Sequence, residues 1–188
     1  MNLPNKLTLL RVILVPFFVA FLLWEAIPGN YLLALLVFAA ASVTDALDGN
    51  IARKRGLVTT FGKFLDPLAD KVLVLSALIC FIALDIAHPV VVIIVTAREF
   101  LVTSLRLVAA ADGTVIAASI YGKVKTVVQM VSIVAILAML AVEELTGAGL
   151  GDAVLLAGNI LMWITAAVTV VSGIDYLVKN RQCINTTR

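Results

Sequence analysis

The stretch Asp45-Ala-Leu-Asp48-Gly49-Asn50-Ile-Ala52-Arg53, followed by Gly62-Lys63-Phe-Leu-Asp66-Pro-Leu-Ala-Asp70, decides how this chain is read. Long apolar runs flank it on both sides, from Tyr31 to Thr44 and from Val72 to Ala83. Asp45 and Asp48 are three apart, and Asp66 and Asp70 are four apart, so on helices each pair shares a face. The polar connection from Lys54 to Thr60 turns the chain back, which makes the two helices antiparallel and sets both pairs at similar depth. A carboxylate inside a membrane costs roughly 2.5–3.5 kcal/mol on insertion scales. Four of them around one turn call for a counter-charge.

The surrounding composition makes lipid the solvent. Of 188 residues, 62% are hydrophobic and 14% charged, against about 25% charged in an ordinary soluble domain. Mean hydropathy is +1.11. A soluble domain of this size cannot hide that much apolar surface. The net charge of +2 is too small to point to nucleic acid. Cys80 and Cys183 form neither a disulfide framework nor a metal-ligand spacing.

Six apolar segments are expected at about 8–27, 31–52, 64–84, 89–110, 120–142 and 153–178. Pro28-Gly29-Asn30, His88-Pro89, Ala111-Asp112-Gly113 and Thr146-Gly147-Ala148-Gly149 punctuate them. Strand alternation is lacking, and helices satisfy their own backbone groups in lipid, so the expected fold is all-α with six transmembrane helices. Residues 2–10 are expected to lie along the interface as a short N-terminal segment, because Asn2, Pro4, Asn5 and Lys6 span poorly. The apolar run then continues to Trp24-Glu25 without a small-x-small cleavage pattern, so it reads as a retained first helix and not a signal peptide. One domain over 1–188 accounts for the chain.

Glu25, Asp85, Glu143, Glu144 and Asp152 occupy connections that hold no Lys or Arg, whereas Lys6, Arg53, Lys54, Arg55, Lys63, Lys123, Lys125, Lys179, Arg181 and Arg188 lie on the other side. The positive-inside rule puts that side, and both termini, in the cytoplasm. The aspartates sit near it. Four bare anions there would repel and partly protonate. An all-oxygen ligand set without His or Cys favours a hard ion such as Mg2+ or Mn2+, and two-metal sites commonly serve phosphoryl chemistry. Gly49 and Gly62 would let a ligand approach the helix backbone, and Arg53 can meet a phosphate.

The pattern Asp-x2-Asp-Gly-x2-Ala-Arg-x8-Gly-x3-Asp-x3-Asp, matched here by Asp45, Asp48, Gly49, Ala52, Arg53, Gly62, Asp66 and Asp70, resembles the signature of the CDP-alcohol phosphatidyltransferase family. The resemblance implies transfer of a phosphatidyl or related phosphoryl group from a CDP-linked donor to an alcohol, with release of CMP. It implies two divalent metal ions, one on Asp45, Asp48 and Asp66 and one on Asp45, Asp66 and Asp70. It also implies that Asp70 is the general base, and that Gly49, Arg53, Thr59 and Gly62 line the CDP pocket. Asn5, Thr8 and Arg11 resemble the family's Asn-x2-Thr-x2-Arg element near the cytidine and phosphates. A homodimer in a bacterial cytoplasmic membrane, with the site facing the cytoplasm, is the expected setting.

A second basic set chooses among acceptors. Arg98 lies too deep for a charge that merely fixes orientation and needs an anion. Glu99 is adjacent, but neighbours on a helix point in different directions. Arg98 and Arg106 share roughly one face and, with Lys123 and Lys125, are expected to form a cationic pocket for a phosphorylated alcohol. Thr96 to Arg106 and Gly122 to Gln129 are similar to the branch of the family that uses sn-glycerol 3-phosphate. The implied donor is CDP-diacylglycerol and the implied product phosphatidylglycerophosphate. Inositol phosphate and phosphatidylglycerol are alternative acceptors within the family; outside it stands a divalent-cation transporter, which would call for discontinuous helices or repeated halves. The sixth segment adds only length and apolarity. His88 reads as a turn residue, and Trp24, Trp163, Tyr31, Tyr121 and Tyr176 read as interface anchors.

Overall fold

The computed structural model describes the backbone of residues 3–55, 60–111 and 119–181; inside the helices, the side chains of 3–7, 45–55, 60–68, 70 and 110–111 lie outside the described residues. Six α-helices follow one another: α1 (Leu3–Leu23), α2 (Asn30–Arg55), α3 (Thr60–Ala83), α4 (Pro89–Ala111), α5 (Ile120–Thr146) and α6 (Gly151–Lys179). Among the described residues there is no strand. The expected segments are all present, with shifted ends. The N-terminal stretch expected along the interface is not a separate element: α1 runs unbroken from Leu3. It carries Pro16 in its interior, a residue more frequent in membrane helices than in soluble ones.

The helices close into a ring in the order α1, α2, α5, α6, α4, α3, with α2 also touching α3 directly. Its core holds Phe18 and Leu22 of α1, Phe38 of α2, Leu78 and Phe81 of α3, Ile136 of α5 and Met162 of α6, all fully buried. Phe18 and Phe38 pack with ring centroids 5.6 Å apart. The periphery is apolar too, with Ile93, Leu107, Val127, Leu156 and Val178 all exposed. α5 and α6 are long and apolar enough to cross a membrane, yet only 33% of each apolar window is buried. A core helix of a soluble protein would be mostly buried; these faces match a lipid surround.

The turns are fixed by local chemistry. Gly29 takes a left-handed φ of 72° between α1 and α2, and Gly147 caps α5 in the left-handed region, as glycines after helices commonly do. Ser119 caps α5 by accepting the Gly122 N–H at 3.1 Å. Pro89 opens α4, where its missing N–H costs nothing. His88 is a turn residue: its Nδ1 accepts the Val90 N–H at 3.3 Å, and its ring stacks on Trp163 with centroids 6.2 Å apart.

Two acids on the far connections do more than mark orientation. Glu144 accepts backbone N–H bonds from Gly29 at 2.7 Å, Asn30 at 3.2 Å and Tyr31 at 3.2 Å. It therefore caps the start of α2 from the end of α5, satisfying donors that the helix leaves open. Glu143 accepts from Leu150 at 2.9 Å and ties down the start of α6. Gly158 lets α6 approach the α3–α4 connection, because a Cβ there would lie 2.6 Å from Ile86 Cγ2.

Candidate active site

α4 carries two arginines on the face it turns toward α5 and α6. Arg98 is lodged between two glycines. Its Cγ lies 3.4 Å from where a Cβ on Gly173 would be, and its Nη2 lies 3.5 Å from the same point on Gly122. That Nη2 donates to Ser172 Oγ at 2.7 Å. Nη1 donates to Glu99 Oε1 at 3.2 Å. The adjacent acid is therefore the partner of Arg98 after all. Successive Cβ atoms diverge by about 100° around a helix, but the arginine stem is long enough to bring its head back over the neighbouring carboxylate.

Glu99 Oε1 also accepts from Lys125 Nζ, which in turn donates to Gln129 Oε1 at 2.5 Å. Lys125 is 2% exposed. A buried ammonium is tolerated only when paired and hydrogen-bonded, and this one is both. Two turns along α4, Arg106 donates from Nε to Tyr176 Oη at 3.2 Å, and its guanidinium carbon lies 5.5 Å from the centroid of the same ring. Tyr176 is buried, so it is not an interface anchor. It holds a guanidinium by stacking and hydrogen bonding together.

Arg98, Glu99 and Arg106 border a cavity of about 410 Å³ whose polar wall, among the described residues, also includes Lys71, Thr103, Lys123 and Thr126. Of the four cations expected to hold a phosphate, Arg98, Arg106 and Lys123 reach it. Lys125 does not; it faces a smaller adjoining chamber of about 40 Å³, shared with Lys71 and Glu99. Lys71 and Ser172 are left unassigned by sequence reasoning, and Glu99 and Tyr176 are not placed by it in the site. Lys71 carries a signal in its position beside Asp70. Ser172 and Tyr176 carry none, because nothing local in the sixth segment says which neighbour its polar residues meet.

The backbone places Asp45, Asp48, Gly49 and Arg53 on α2, and Gly62, Asp66 and Asp70 on α3. Their side chains, and that of Asn5 on α1, lie outside the described residues; Thr59 lies outside them altogether. Helical spacing puts each Asp pair on one face of its helix, and α2 and α3 touch. Among the described residues no group of three or more His, Cys, Asp or Glu side chains could hold a metal ion. Thr8 and Arg11, one turn apart on α1, are completely buried. The two helices that carry the aspartates are continuous, unlike the broken helices of many secondary transporters.

The sequence profile described as CDP-alcohol phosphatidyltransferase matches residues 1–171. The chain is 43% identical to the CDP-diacylglycerol–glycerol-3-phosphate 3-phosphatidyltransferase of Bacillus subtilis, over 99% of this chain and 98% of the relative. The protein of the same name in Rickettsia felis is 37% identical over 93% of each chain. A probable phosphatidylglycerophosphate synthase of Mycobacterium tuberculosis is 42% identical over 95% of this chain and 81% of the relative. With apolar helices around a cationic cavity and the full aspartate signature on α2 and α3, this membrane protein belongs to the CDP-alcohol phosphatidyltransferase family.

Proposed function

We propose that this chain transfers the phosphatidyl group of CDP-diacylglycerol to sn-glycerol 3-phosphate, giving phosphatidylglycerophosphate and CMP. The observation that carries this reading is the position of Lys71. It follows Asp70 directly on α3 and lines the same cavity as Arg98, Arg106 and Lys123. A cation-rich cavity thus borders the helix that carries Asp66 and Asp70. Among the described residues its wall holds Lys71, Arg98, Arg106 and Lys123 with Glu99, an excess of cations suited to a phosphate. The names of the relatives supply the identity of the acceptor.

In this mechanism the acceptor phosphate rests against Arg98, Arg106 and Lys123. The free primary hydroxyl is then directed toward Asp70 on α3. Its oxygen attacks the phosphatidyl phosphorus, the bond to the CMP oxygen breaks, and Asp70 takes the hydroxyl proton. Arg106 is kept from swinging away by the Tyr176 ring and hydroxyl. Arg98 is kept in place by Ser172 and Glu99. On the donor side, Asn5, Thr8, Arg11, Gly49, Arg53, Thr59 and Gly62 hold the CDP moiety, while the acyl chains stay in the bilayer. Membership of a divalent-metal-dependent family accords with the all-carboxylate donor set. Asp45, Asp48, Asp66 and Asp70 would hold two ions, Mg2+ or Mn2+, whose charge would offset that of the pyrophosphate. All six helices cross a bacterial cytoplasmic membrane as one domain over 1–188, with both termini and the site on the cytoplasmic side, and the chain works as a homodimer.

The test is CMP release by the purified protein in nanodiscs, given CDP-diacylglycerol, Mg2+ or Mn2+, and a panel of alcohols. Glycerol 3-phosphate should support turnover, and inositol phosphate, phosphatidylglycerol and serine should not. No product with glycerol 3-phosphate overturns the substrate assignment.

A further inference from the structure

A site that only had to grip a phosphate would have no use for a carboxylate in its wall, since the two anions repel. Glu99 nevertheless borders both the large cavity and the small chamber beside it. Its side chain is 19% exposed, and the two cations that pair with it among the described residues, Arg98 and Lys125, bind the same oxygen, Oε1. Among the described residues no hydrogen bond reaches Oε2. The carboxylate is thus fixed in orientation through one oxygen, and the other remains available to whatever enters the cavity. An ionised carboxylate can only accept. The group it reads must therefore be a donor, and it must sit within reach of cations that hold a phosphate.

We infer that Glu99 is a specificity-determining residue that accepts a hydrogen bond, through Oε2, from a hydroxyl of the acceptor other than the one that attacks. This rests on the reading of the cavity as the acceptor site. It narrows the acceptor to a phosphorylated polyol with at least two hydroxyls, one to react and one to be read. A hydrogen bond to a charged group discriminates more sharply than a neutral one. Thr126, also on the wall, donates its hydroxyl to the Gly122 carbonyl at 3.1 Å, so its proton is already committed.

The experiment compares sn-glycerol 3-phosphate with 3-hydroxypropyl phosphate, which keeps the phosphate and the attacking hydroxyl and lacks the middle one. Both are given to the wild-type protein in nanodiscs with CDP-diacylglycerol and Mg2+. The wild type should favour glycerol 3-phosphate in kcat/KM by about tenfold to a hundredfold, the range of one hydrogen bond to a charged group. In Glu99→Gln, kcat/KM should fall for both acceptors, because Arg98 and Lys125 lose their anchor, but it should fall severalfold further for glycerol 3-phosphate, so the preference narrows severalfold. Equal fractional losses for both acceptors would mean that Glu99 only braces Arg98 and Lys125, and would overturn the inference. Should the variant fail to accumulate, Glu99→Asp, which keeps the charge but draws it back from the acceptor, takes its place with the same expectation, and equal use of the two acceptors by the wild type is fatal in any case. If glycerol 3-phosphate gives no CMP at all, the underlying reading of the cavity has failed, a result distinct from turnover without discrimination.

Discussion

The Glu144 carboxylate on α5 lies 2.7 Å from the backbone nitrogen of Gly29, ahead of α2, and reaches the next two N–H groups as well. A residue from one helix thereby caps another, and the capped helix is the one that carries Asp45 and Asp48 at its opposite end. Losing a cap costs typically about 1 kcal/mol, and up to roughly 2. Glu144→Ala should lower the midpoint of thermal unfolding in detergent by a few degrees, and Glu144→Gln, which keeps one acceptor, by less. An unchanged midpoint in the alanine variant would show that water replaces the carboxylate without loss.

Arg106 and Tyr176 act as a unit. Tyr176→Phe keeps the ring and removes the oxygen that fixes the guanidinium Nε. It should raise the apparent KM for glycerol 3-phosphate a fewfold and leave that for CDP-diacylglycerol unchanged. Arg106→Ala and Arg98→Ala remove a charge-assisted contact outright and should raise it by about tenfold or more. Steady-state kinetics with each substrate varied in turn makes the check. Equal effects on both substrates would count against an acceptor role.

Lys125 should behave differently from the two arginines. It is buried, bonded to Glu99 and Gln129, and absent from the wall of the large cavity. Removing one member of a buried ion pair costs about 3–5 kcal/mol because the other charge is stranded. Lys125→Ala should therefore reduce the amount of folded protein as well as the rate. Size-exclusion profiles in detergent, compared with those of Arg106→Ala, separate the two effects. A normal profile with only KM altered would place Lys125 in direct contact with the acceptor.

Gly158 tests the packing of α6. A Cβ would meet Ile86 Cγ2 at 2.6 Å, and overpacking a close contact costs typically about 1–3 kcal/mol. Gly158→Ala should destabilise by an amount in that range. The added Ile86→Ala should relieve part of the loss, whereas Ile86→Val, which retains a methyl at that point, should not. Strict additivity across the double-mutant cycle would show that the two residues do not touch in the membrane.

Asp70 is assigned the proton transfer. Asp70→Asn should lower turnover by about a hundredfold to ten-thousandfold, the usual contribution of a positioned acid or base, while binding of CDP-diacylglycerol survives. Chelation with EDTA should also stop CMP release, and added Mg2+ or Mn2+ should restore it. Turnover by Asp70→Asn at the wild-type rate would remove it from the base role.

Local periodicity and the choice of solvent are legible in the sequence by itself. Apolar content forces lipid as the surroundings, lipid forces helices, and run lengths with Gly and Pro breaks set six of them. Spacings of three and four put each Asp pair on one helix face. Where local rules are the only guide, they also mislead. They set Arg98 and Glu99 apart by their divergence around the helix, and they do not show that Lys125 meets Glu99 and faces the smaller chamber. Only the tertiary structure decided the ring order of the helices, the lodging of Arg98 between Gly122 and Gly173, the seat of Arg106 on Tyr176 and the cap that Glu144 places on α2. The physical reason is that periodicity fixes which residues share a face, but not the rotation of that face toward its neighbours. That rotation is settled by packing between residues 70 or more positions apart, such as Arg106 with Tyr176 and Arg98 with Ser172.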